Sequence, residues 1–292
     1  MSVMAGDTRS VRAMTVSAGD IAALREQFPD AFGNRRKQWA TGLLWGGAIA
    51  YLVWSFWYFE FGKLFFVNER ATRMFTEFFV WRDMADWDYG GIYKGLAETI
   101  AMAFLGTLLG SVAALVIAFA AARNTMPQSL IRHAVRRYLD LLRGIDSLIW
   151  ALVFVRAVGL GPLAGVLSIF VSDAGTLSKL YSEAIENVDR KQVEGVRATG
   201  ASPVKVIRFG YLPQIAPVFI SLSLYSFESS VRSATILGIV GAGGIGKVLV
   251  DRFRAGFFDQ VAFVVLNILI CIFVIDWLSG KVRAHFIGEK PH

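Results

Sequence analysis

Residues 99–122 read TIAMAFLGTLLGSVAALVIAFAAA and contain no charged side chain. A helix rises about 1.5 Å per residue, so this block is long enough to cross the ~30 Å hydrocarbon layer of a bilayer. Of the 292 residues, 55% are hydrophobic and only 18% are charged, whereas about a quarter of a soluble domain is charged. The composition therefore argues against a soluble enzyme, a disordered chain or a disulfide scaffold and predicts a polytopic membrane protein.

Further apolar blocks predict an all-α fold, a polytopic membrane helical bundle with about six transmembrane helices. Besides residues 99–122, the predicted spans are 39–59, about 138–158, 163–181, 214–239 and 260–278. Gly159-Leu-Gly-Pro162 separates the third span from the fourth, because proline and glycine end helices. Cys271, the lone cysteine, lies in an apolar block and is predicted to be a small buried hydrophobe.

The Lys and Arg residues of the connecting segments predict the orientation. Segments 34–38, 123–137, 190–208 and 281–290 carry 15 of these cations, whereas the alternate segments 62–94, 157–161 and 241–257 carry 8. Basic loops stay in the cytoplasm, so both termini are predicted to be cytoplasmic, with 1–38 as an N-terminal extension and 286–292 as a tail. This placement accounts for most of the net charge of +7 without a nucleic-acid partner.

An aromatic-rich stretch follows the first span, and residues 39–93 are predicted to be that span plus an external segment. The stretch contains Trp81, Trp87, Tyr89 and Tyr93. Such residues form belts at the headgroup level of membranes, although packing within a folded loop would explain them equally well.

The stretch from Glu183 to Pro213, between the fourth and fifth spans, predicts a cytoplasmic helix–turn–helix. Residues 183–199 are rich in helix formers, and Gly200 stands where a helix commonly ends. Ser202-Pro203 is an N-cap followed by the first position of a new helix, which is predicted to end at Leu212-Pro213. A rigid element of this kind suits transmission of force from another protein, and a solvated amphipathic hairpin is the alternative.

Glu194, Gly200, Leu212 and Pro213 have the spacing of the EAA loop of ABC importer permeases, with five residues between the glutamate and the glycine and eleven between the glycine and Leu-Pro. Gly195 and Val196 replace the family's usual alanines, and Gly210 its usual isoleucine-like residue. Over roughly residues 95–285 the chain resembles the permease of phosphonate ABC transporters, and the stretches that carry this resemblance are 159–167, 183–189, 198–202, 212–214 and 231–246. The resemblance implies that residues 94–285 form an ABC permease transmembrane domain with the EAA loop at 183–213.

The same resemblance implies a division of labour in a bacterial inner membrane. Two copies of the permease would form a pathway for phosphonates or related phosphorus oxyanions, such as phosphate and phosphite. Two ATP-binding subunits would hold ATP and Mg, an external or periplasmic binding protein would deliver the cargo, and this chain would be neither an enzyme nor a carrier of a cofactor. The implied coupling residues are Glu194, Gly195, Val196, Gly200, Ala201, Leu212 and Pro213.

The run Gly241-Ala-Gly-Gly-Ile-Gly246-Lys247 looks like a phosphate-binding loop, but Val248 stands where a P-loop needs Ser or Thr. The run also follows a predicted membrane span rather than a strand. Glycines let a backbone bend sharply and let helices approach closely. Gly241, Gly243 and Gly244 are therefore predicted to form an external gate, with simple tight packing as the alternative.

Ionisable residues inside spans are costly and are functional candidates by default. Asp140, Arg143 and Asp146 are predicted to share one helix face near the cytoplasmic end, and Arg156 to reach the interface by snorkelling. Asp173 lies nearer the middle of a span. It is predicted to line the pathway, with a neutral protonated state or a cross-helix bond as the alternatives.

Glu228 and Arg232 have the i, i+4 spacing of a helical ion pair, and hydroxyl residues such as Ser229 and Ser230 surround them. This portion is predicted to face protein or a wet cavity. Arg232 would attract an anionic cargo, because guanidinium groups match phosphate-type oxygens; a purely structural pair is the alternative.

Three other functions fit the composition less well. They are an ABC permease for another small solute, an ion-coupled secondary transporter with Asp173 or Glu228 as a proton site, and a membrane-embedded enzyme. The histidines at 133, 285 and 292 lack metal-ligand spacing, so no metal site is predicted. The EAA spacing argues against the secondary transporter.

Overall fold

The computed structural model describes residues 18–27, 35–62, 69–81 and 84–287. The described chain is helical, with α1 (Ala18–Gln27), α2 (Arg35–Tyr58), α3 (Glu69–Phe79), α4 (Tyr89–Ala121), α5 (Ser129–Gly144), α6 (Ser147–Val158), α7 (Pro162–Glu186), α8 (Arg190–Ala198), α9 (Pro203–Val206), α10 (Leu212–Leu237), α11 (Gly244–Ala255) and α12 (Phe258–Ile287). Much of the predicted extension 1–38 and of the tail 286–292 lies outside the described residues.

The chain divides into two compact units, residues 1–71 and 72–292. In the first unit, α2 contains an apolar stretch from Trp39 to Tyr58 that is long enough to cross a membrane, as predicted for residues 39–59. Its side chains are exposed nearly throughout, including Leu43, Leu44 and Trp57. An apolar helix with this exposure matches a lipid environment better than water.

Four more membrane-length apolar helices lie in the second unit: Tyr89–Ala121, Pro162–Glu186, Pro203–Val240 and Phe258–His285. They confirm the all-α membrane bundle and four further predicted spans. The helix Tyr89–Ala121 begins well before the apolar block because the Asp88 carboxylate caps it, accepting a hydrogen bond from the Gly91 amide at 2.9 Å.

The third predicted span, 138–158, is not one helix. The chain instead forms α5 and α6, and the apolar α6 is only 12 residues long, about 18 Å at the rise of an α-helix. Asp146 causes the break, because its side chain accepts a hydrogen bond from the Leu148 amide at 2.8 Å and caps α6. The Gly161 amide then donates to the Gly241 carbonyl at 3.0 Å, which places the end of α6 beside the segment after α10.

Asp140, Arg143 and Asp146 were predicted to share one helix face, and this prediction is wrong. Asp140 and Arg143 lie in α5, whereas Asp146 is the N-cap of α6. Asp140 pairs across to α7, where Lys179 Nζ lies 2.8 Å from Asp140 Oδ1. This hydrogen bond holds the pKa of Asp140 below its ordinary value of 3.8. Asp140 is therefore ionised at neutral pH.

The core of the second unit is the packing of α4 on α7. A small residue recurs every fourth position along the buried face of α4, at Gly106, Gly110, Ala114 and Ala118. A Cβ built on Gly106 would lie 2.7 Å from the Ile169 side chain, and one on Gly110 would lie 2.9 Å from Asp173 Cβ. The small residues therefore let the two backbones approach closely, as in other membrane helix pairs.

Packing accounts for most of the aromatic-rich stretch. Trp87 is buried and, together with Trp81 and Tyr89, packs against Phe263 of α12, with ring centroids 5.3–5.8 Å from that ring. Tyr93 is exposed and is left outside this cluster. Packing within a folded segment therefore explains Trp81, Trp87 and Tyr89.

Candidate coupling surface and translocation face

The predicted helix over 183–199 is interrupted. Helix α7 continues to Glu186, and α8 starts at Arg190 after Asp189, whose side chain accepts a hydrogen bond from the Lys191 amide at 3.0 Å. The single helix was therefore wrong, because an N-cap at Asp189 starts a new one. Glu194 lies in the middle of the short helix α8.

The predicted turn after α8 is confirmed, but the predicted end of the next helix is not. Gly200 has φ +75°, the left-handed conformation that favours glycine, and α9 begins at Pro203 with Ser202 as N-cap. Instead of ending at Leu212-Pro213, this helix continues through a π-helical turn, Ile207–Tyr211, into α10. The coupling loop and the fifth span are thus one continuous helical element.

Helix α8 is seated on that π-turn. Val193 is buried in a cluster with Val206, Tyr211 and Ile215, and a Cβ built on Gly210 would lie 3.3 Å from Val193 Cα. Gly210, which replaces the family's usual isoleucine-like residue, is therefore a point of close approach between α8 and the start of α10.

The Gln214 side chain completes this seat. It accepts from the Asp189 amide at 3.1 Å and donates to the Gly210 carbonyl at 2.8 Å. These two hydrogen bonds connect the start of α8 to the beginning of α10.

Most of the implied coupling residues lie on the surface, and two face inward. Glu194, Gly195, Gly200, Leu212 and Pro213 are exposed, whereas Val196 and Ala201 are partly buried against the Val193 cluster. The neighbouring Val204 and Phe209 are large, apolar and exposed. We call the exposed set of Glu194, Gly195, Gly200, Val204, Phe209, Leu212 and Pro213 the coupling surface; its mixture of charged and apolar groups fits coverage by a partner protein.

One face of α10 stays open along the membrane-length part of the helix. Tyr225, Ser229, Arg232 and Ile236 are exposed and recur at i, i+4, i+7 and i+11. Ser226, Ser230, Val231 and Ala234 lie between these positions and are buried. We call these four exposed residues the open face. It contains a charged guanidinium that is 46% exposed, which fits a wet or protein-covered surface better than a lipid-facing one.

The predicted Glu228–Arg232 pair is wrong. Glu228 forms an ion pair with Arg283, and Arg232 Nη1 lies 3.3 Å from Asp276 Oδ2. Both partners belong to α12, which packs against α10. The spacing within α10 could not reveal these tertiary partners, although Asp276, an acid inside a predicted span, was a signal that the sequence offered.

Asp173 makes cross-helix hydrogen bonds. Its Oδ2 accepts from Thr107 Oγ1 at 2.6 Å and from Ser230 Oγ at 3.0 Å, so it joins α7 to α4 and α10. The side chain is buried and lines a cavity of about 170 Å³ that Ser226, Ser229 and Ser233 also line. Ser229 is thus shared by this cavity and the open face, while the role of Asp173 in the pathway stays a prediction.

The glycine-rich segment forms a tight turn between α10 and α11. Gly241, Gly243 and Gly244 have φ of +93°, +80° and +70°. A Cβ on Gly238 would lie 2.6 Å from the Gly243 carbonyl oxygen, and the Ile245 amide donates to Thr99 Oγ1 of α4 at 2.8 Å. Since helix α10 precedes this segment, it lacks the strand–loop–helix context of a phosphate-binding loop. Sharp bending and close packing are both present, while gating stays a prediction.

Comparison with known proteins defines the class. Residues 106–284 match the family of the binding-protein-dependent transport system inner membrane component. The chain is 38% identical over 257 residues to HtxC, a candidate phosphite transport system permease protein of Stutzerimonas stutzeri, covering 88% of this chain and 90% of HtxC. It is 41% identical over 198 residues to the phosphite transport system permease protein PtxC of the same organism, covering 68% of this chain and 72% of PtxC.

A solved structure shares the fold. The methionine ABC transporter MetNI, in an inward-facing conformation, contains a chain that superimposes with a TM-score of 0.61 at 22% identity, covering 67% of this chain and 96% of that one. With its membrane-length helices and the family match over most of its length, the chain is a membrane transport component rather than an enzyme. It belongs to the family of inner-membrane permease subunits of binding-protein-dependent ABC importers.

Proposed function

We propose that this permease forms the translocation pathway of an ATP-driven importer for phosphorus oxyanions, with phosphite, phosphonates and phosphate as the cargo class. The observation that carries the proposal is the 38% identity to HtxC over 88% of the chain. PtxC, also a phosphite transport permease, supports the same cargo class. An ABC permease for another small solute is the alternative within the family.

The proposed coupling route runs along one helical element. An ATP-binding subunit docks on the coupling surface, and its movement displaces α8. Because α8 is seated on Gly210 and tied to Gln214, the displacement passes through the π-turn into α10. Helix α10 contains Arg232, so ATP-driven docking changes the surroundings of the guanidinium by a movement of packed elements.

In this proposal the open face of α10 lines the pathway. Arg232 attracts the anion, because its planar set of N–H donors matches the oxygens of a phosphite or phosphonate. The hydroxyl of the exposed Ser229 is available to donate to the same oxygens. Ser230 and Asp173 support this wall through their hydrogen bond, Glu228 joins it to α12, and Gly241, Gly243 and Gly244 form the gate at the far end of α10.

The proposed assembly contains two copies of this chain, two ATP-binding subunits and one external or periplasmic binding protein. ATP and Mg bind in the ATP-binding subunits, and this chain uses no cofactor. The chain lies in a bacterial inner membrane with both termini in the cytoplasm, which places the basic segments, including 190–208, beside the ATP-binding subunits. Native mass spectrometry of the purified complex tests the homodimer, since a second permease chain of different mass would contradict it.

Uptake by the reconstituted complex tests the cargo. Proteoliposomes with the ATP-binding and binding proteins should accumulate phosphite and methylphosphonate but not methionine. Arg232→Ala should lower this uptake by about tenfold or more, whereas Arg156→Ala should leave it near the wild-type level, because Arg156 is exposed at the end of the short α6. Equal uptake of all solutes would overturn the proposed cargo class, and wild-type uptake by well-folded Arg232→Ala would overturn the proposed role of Arg232 in the pathway.

A further inference from the structure

Two ion pairs join α10 to α12, and they differ in character. The Glu228–Arg283 pair is the more buried, because only 11% of the Glu228 side chain is exposed. In the Arg232–Asp276 pair, the side chains are 46% and 42% exposed, and they meet through one contact of 3.3 Å between Arg232 Nη1 and Asp276 Oδ2. The Glu228–Arg283 pair therefore links the two helices largely away from solvent, whereas the Arg232–Asp276 pair remains accessible.

The contact between Arg232 and Asp276 leaves both groups incompletely bonded. A guanidinium has five N–H donors in a planar fork, and Asp276 engages Nη1 alone through a hydrogen bond. Asp276 Oδ1 is buried and has no hydrogen-bond partner among the residues that the structure describes. A carboxylate held by one long contact is easier to exchange than one held by two parallel bonds.

We propose that Asp276 is the resident counter-ion of Arg232 and that the oxyanion cargo displaces it from the guanidinium during transport. The inference rests on the proposed function, since it assumes that Arg232 meets the cargo. In the empty pathway Asp276 neutralises the arginine, which would otherwise be an uncompensated charge within a span. When the cargo arrives, its oxygens take the place of Asp276 Oδ2 at the guanidinium.

The exchange explains how a pathway can attract an anion and still release it. An arginine with no competing carboxylate would hold a phosphorus oxyanion, and turnover would then be limited by release. With Asp276 nearby, the returning carboxylate competes with the bound anion. Asp276 would therefore act as a positioning residue that sets how long the anion stays, whereas Arg232 is the group that touches it.

The test separates binding from transport by leaving out the binding protein. Radiolabelled phosphite is titrated onto the detergent-purified permease–ATPase complex, and uptake is measured in proteoliposomes. Asp276→Asn should bind phosphite roughly tenfold more tightly, because an opposing charge beside the guanidinium is gone, and should transport it more slowly. Asp140→Asn is the control: Asp140 also pairs with a cation, Lys179, but its helix α5 is not one of the membrane-length helices.

Two further variants make the outcome decisive. On an Arg232→Ala background, Asp276→Asn should not tighten phosphite binding. If Asp276→Asn fails to fold, Asp276→Glu, which keeps the charge, should bind and transport within about twofold of wild type. Wild-type binding and uptake by folded Asp276→Asn would overturn the exchange, and wild-type uptake by Arg232→Ala would remove its premise that Arg232 meets the cargo. Only a complex that fails to take up phosphite would overturn the proposed function itself.

Discussion

Val193 of α8 lies against Gly210 of the π-turn so closely that a Cβ on the glycine would be 3.3 Å from Val193 Cα. This contact joins the short helix that carries Glu194 to the helix that carries Arg232. In the proposed coupling route, the link between an ATP-binding subunit and the pathway passes through this contact, where a bulky side chain has little room.

Enlarging Gly210 should weaken coupling without removing ATP hydrolysis. Gly210→Leu pushes α8 away from its seat, so uptake per ATP hydrolysed should fall about 2- to 30-fold, the range expected for residues that transmit rather than bind. Gly144→Leu is the matched control, because a Cβ on Gly144 meets nothing within 4 Å. Uptake and ATP hydrolysis are measured on the same proteoliposomes, and unchanged coupling in Gly210→Leu would refute this route.

The glycine-rich turn should be intolerant of side chains for steric reasons. A Cβ on Gly246 would collide with the Thr235 carbonyl oxygen, whereas one on Gly280 of α12 meets nothing within 4 Å. Gly246→Ala should therefore destabilise the protein by about 1–3 kcal/mol or more, and Gly280→Ala should not destabilise it. Thermal denaturation of the two purified variants in the same detergent measures the difference. Equal midpoints would show that the turn has more room than the structure indicates.

Asp173 should be needed as a hydrogen-bond acceptor more than as a charge. Asp173→Leu removes the acceptor of Thr107 and Ser230, at a cost of about 1–3 kcal/mol for each hydroxyl left unpaired. Asp173→Asn keeps a carbonyl oxygen there and should denature close to wild type.

Uptake by the same Asp173→Asn variant then tests its predicted place in the pathway. A stable variant with impaired phosphite uptake supports that place. A stable variant with wild-type uptake leaves Asp173 as a packing residue alone.

Arg232 should resist conservative replacement. Lysine keeps the charge but presents it as a point rather than as a planar fork. Arg232→Lys should therefore retain part of the phosphite uptake, several-fold below wild type, and Arg232→Ala should retain less. Initial uptake rates at saturating binding protein measure both. Full uptake by the lysine variant would show that charge alone matters at this position.

The sequence correctly predicted several features that depend on residues close together in the chain. Apolar length identified the helices that match the spans, and the Gly200 turn and the Ser202-Pro203 start followed from glycine and proline geometry. The two breaks that the sequence analysis did not predict had local signals as well, because Asp146 and Asp189 both precede helices as N-caps. Both aspartates lie among strong helix formers, so uninterrupted helices are predicted there from the sequence. In the structure the capping aspartate nevertheless starts a new helix.

The candidate site depended on tertiary contacts that spacing within one helix cannot reveal. Glu228 and Arg232 match each other at i, i+4, yet each finds its partner on α12. The seat of α8 on Gly210 likewise joins two segments that the sequence presents as separate helices. The hydroxyl residues around Arg232 form one group in the sequence. The structure separates them, because Ser229 is exposed on the open face whereas Ser226 and Ser230 are buried.

The proposed function requires that ATP drive a phosphorus oxyanion through this permease. The most direct measurement is the accumulation of radiolabelled phosphite in proteoliposomes that contain the permease, its ATP-binding subunit and its binding protein, with ATP or ADP at the ATP-binding subunits. We expect accumulation above the external concentration with ATP, none with ADP, and no loss when ionophores dissipate ion gradients. Accumulation that ionophores abolish and that proceeds without ATP would contradict it and identify an ion-coupled transporter.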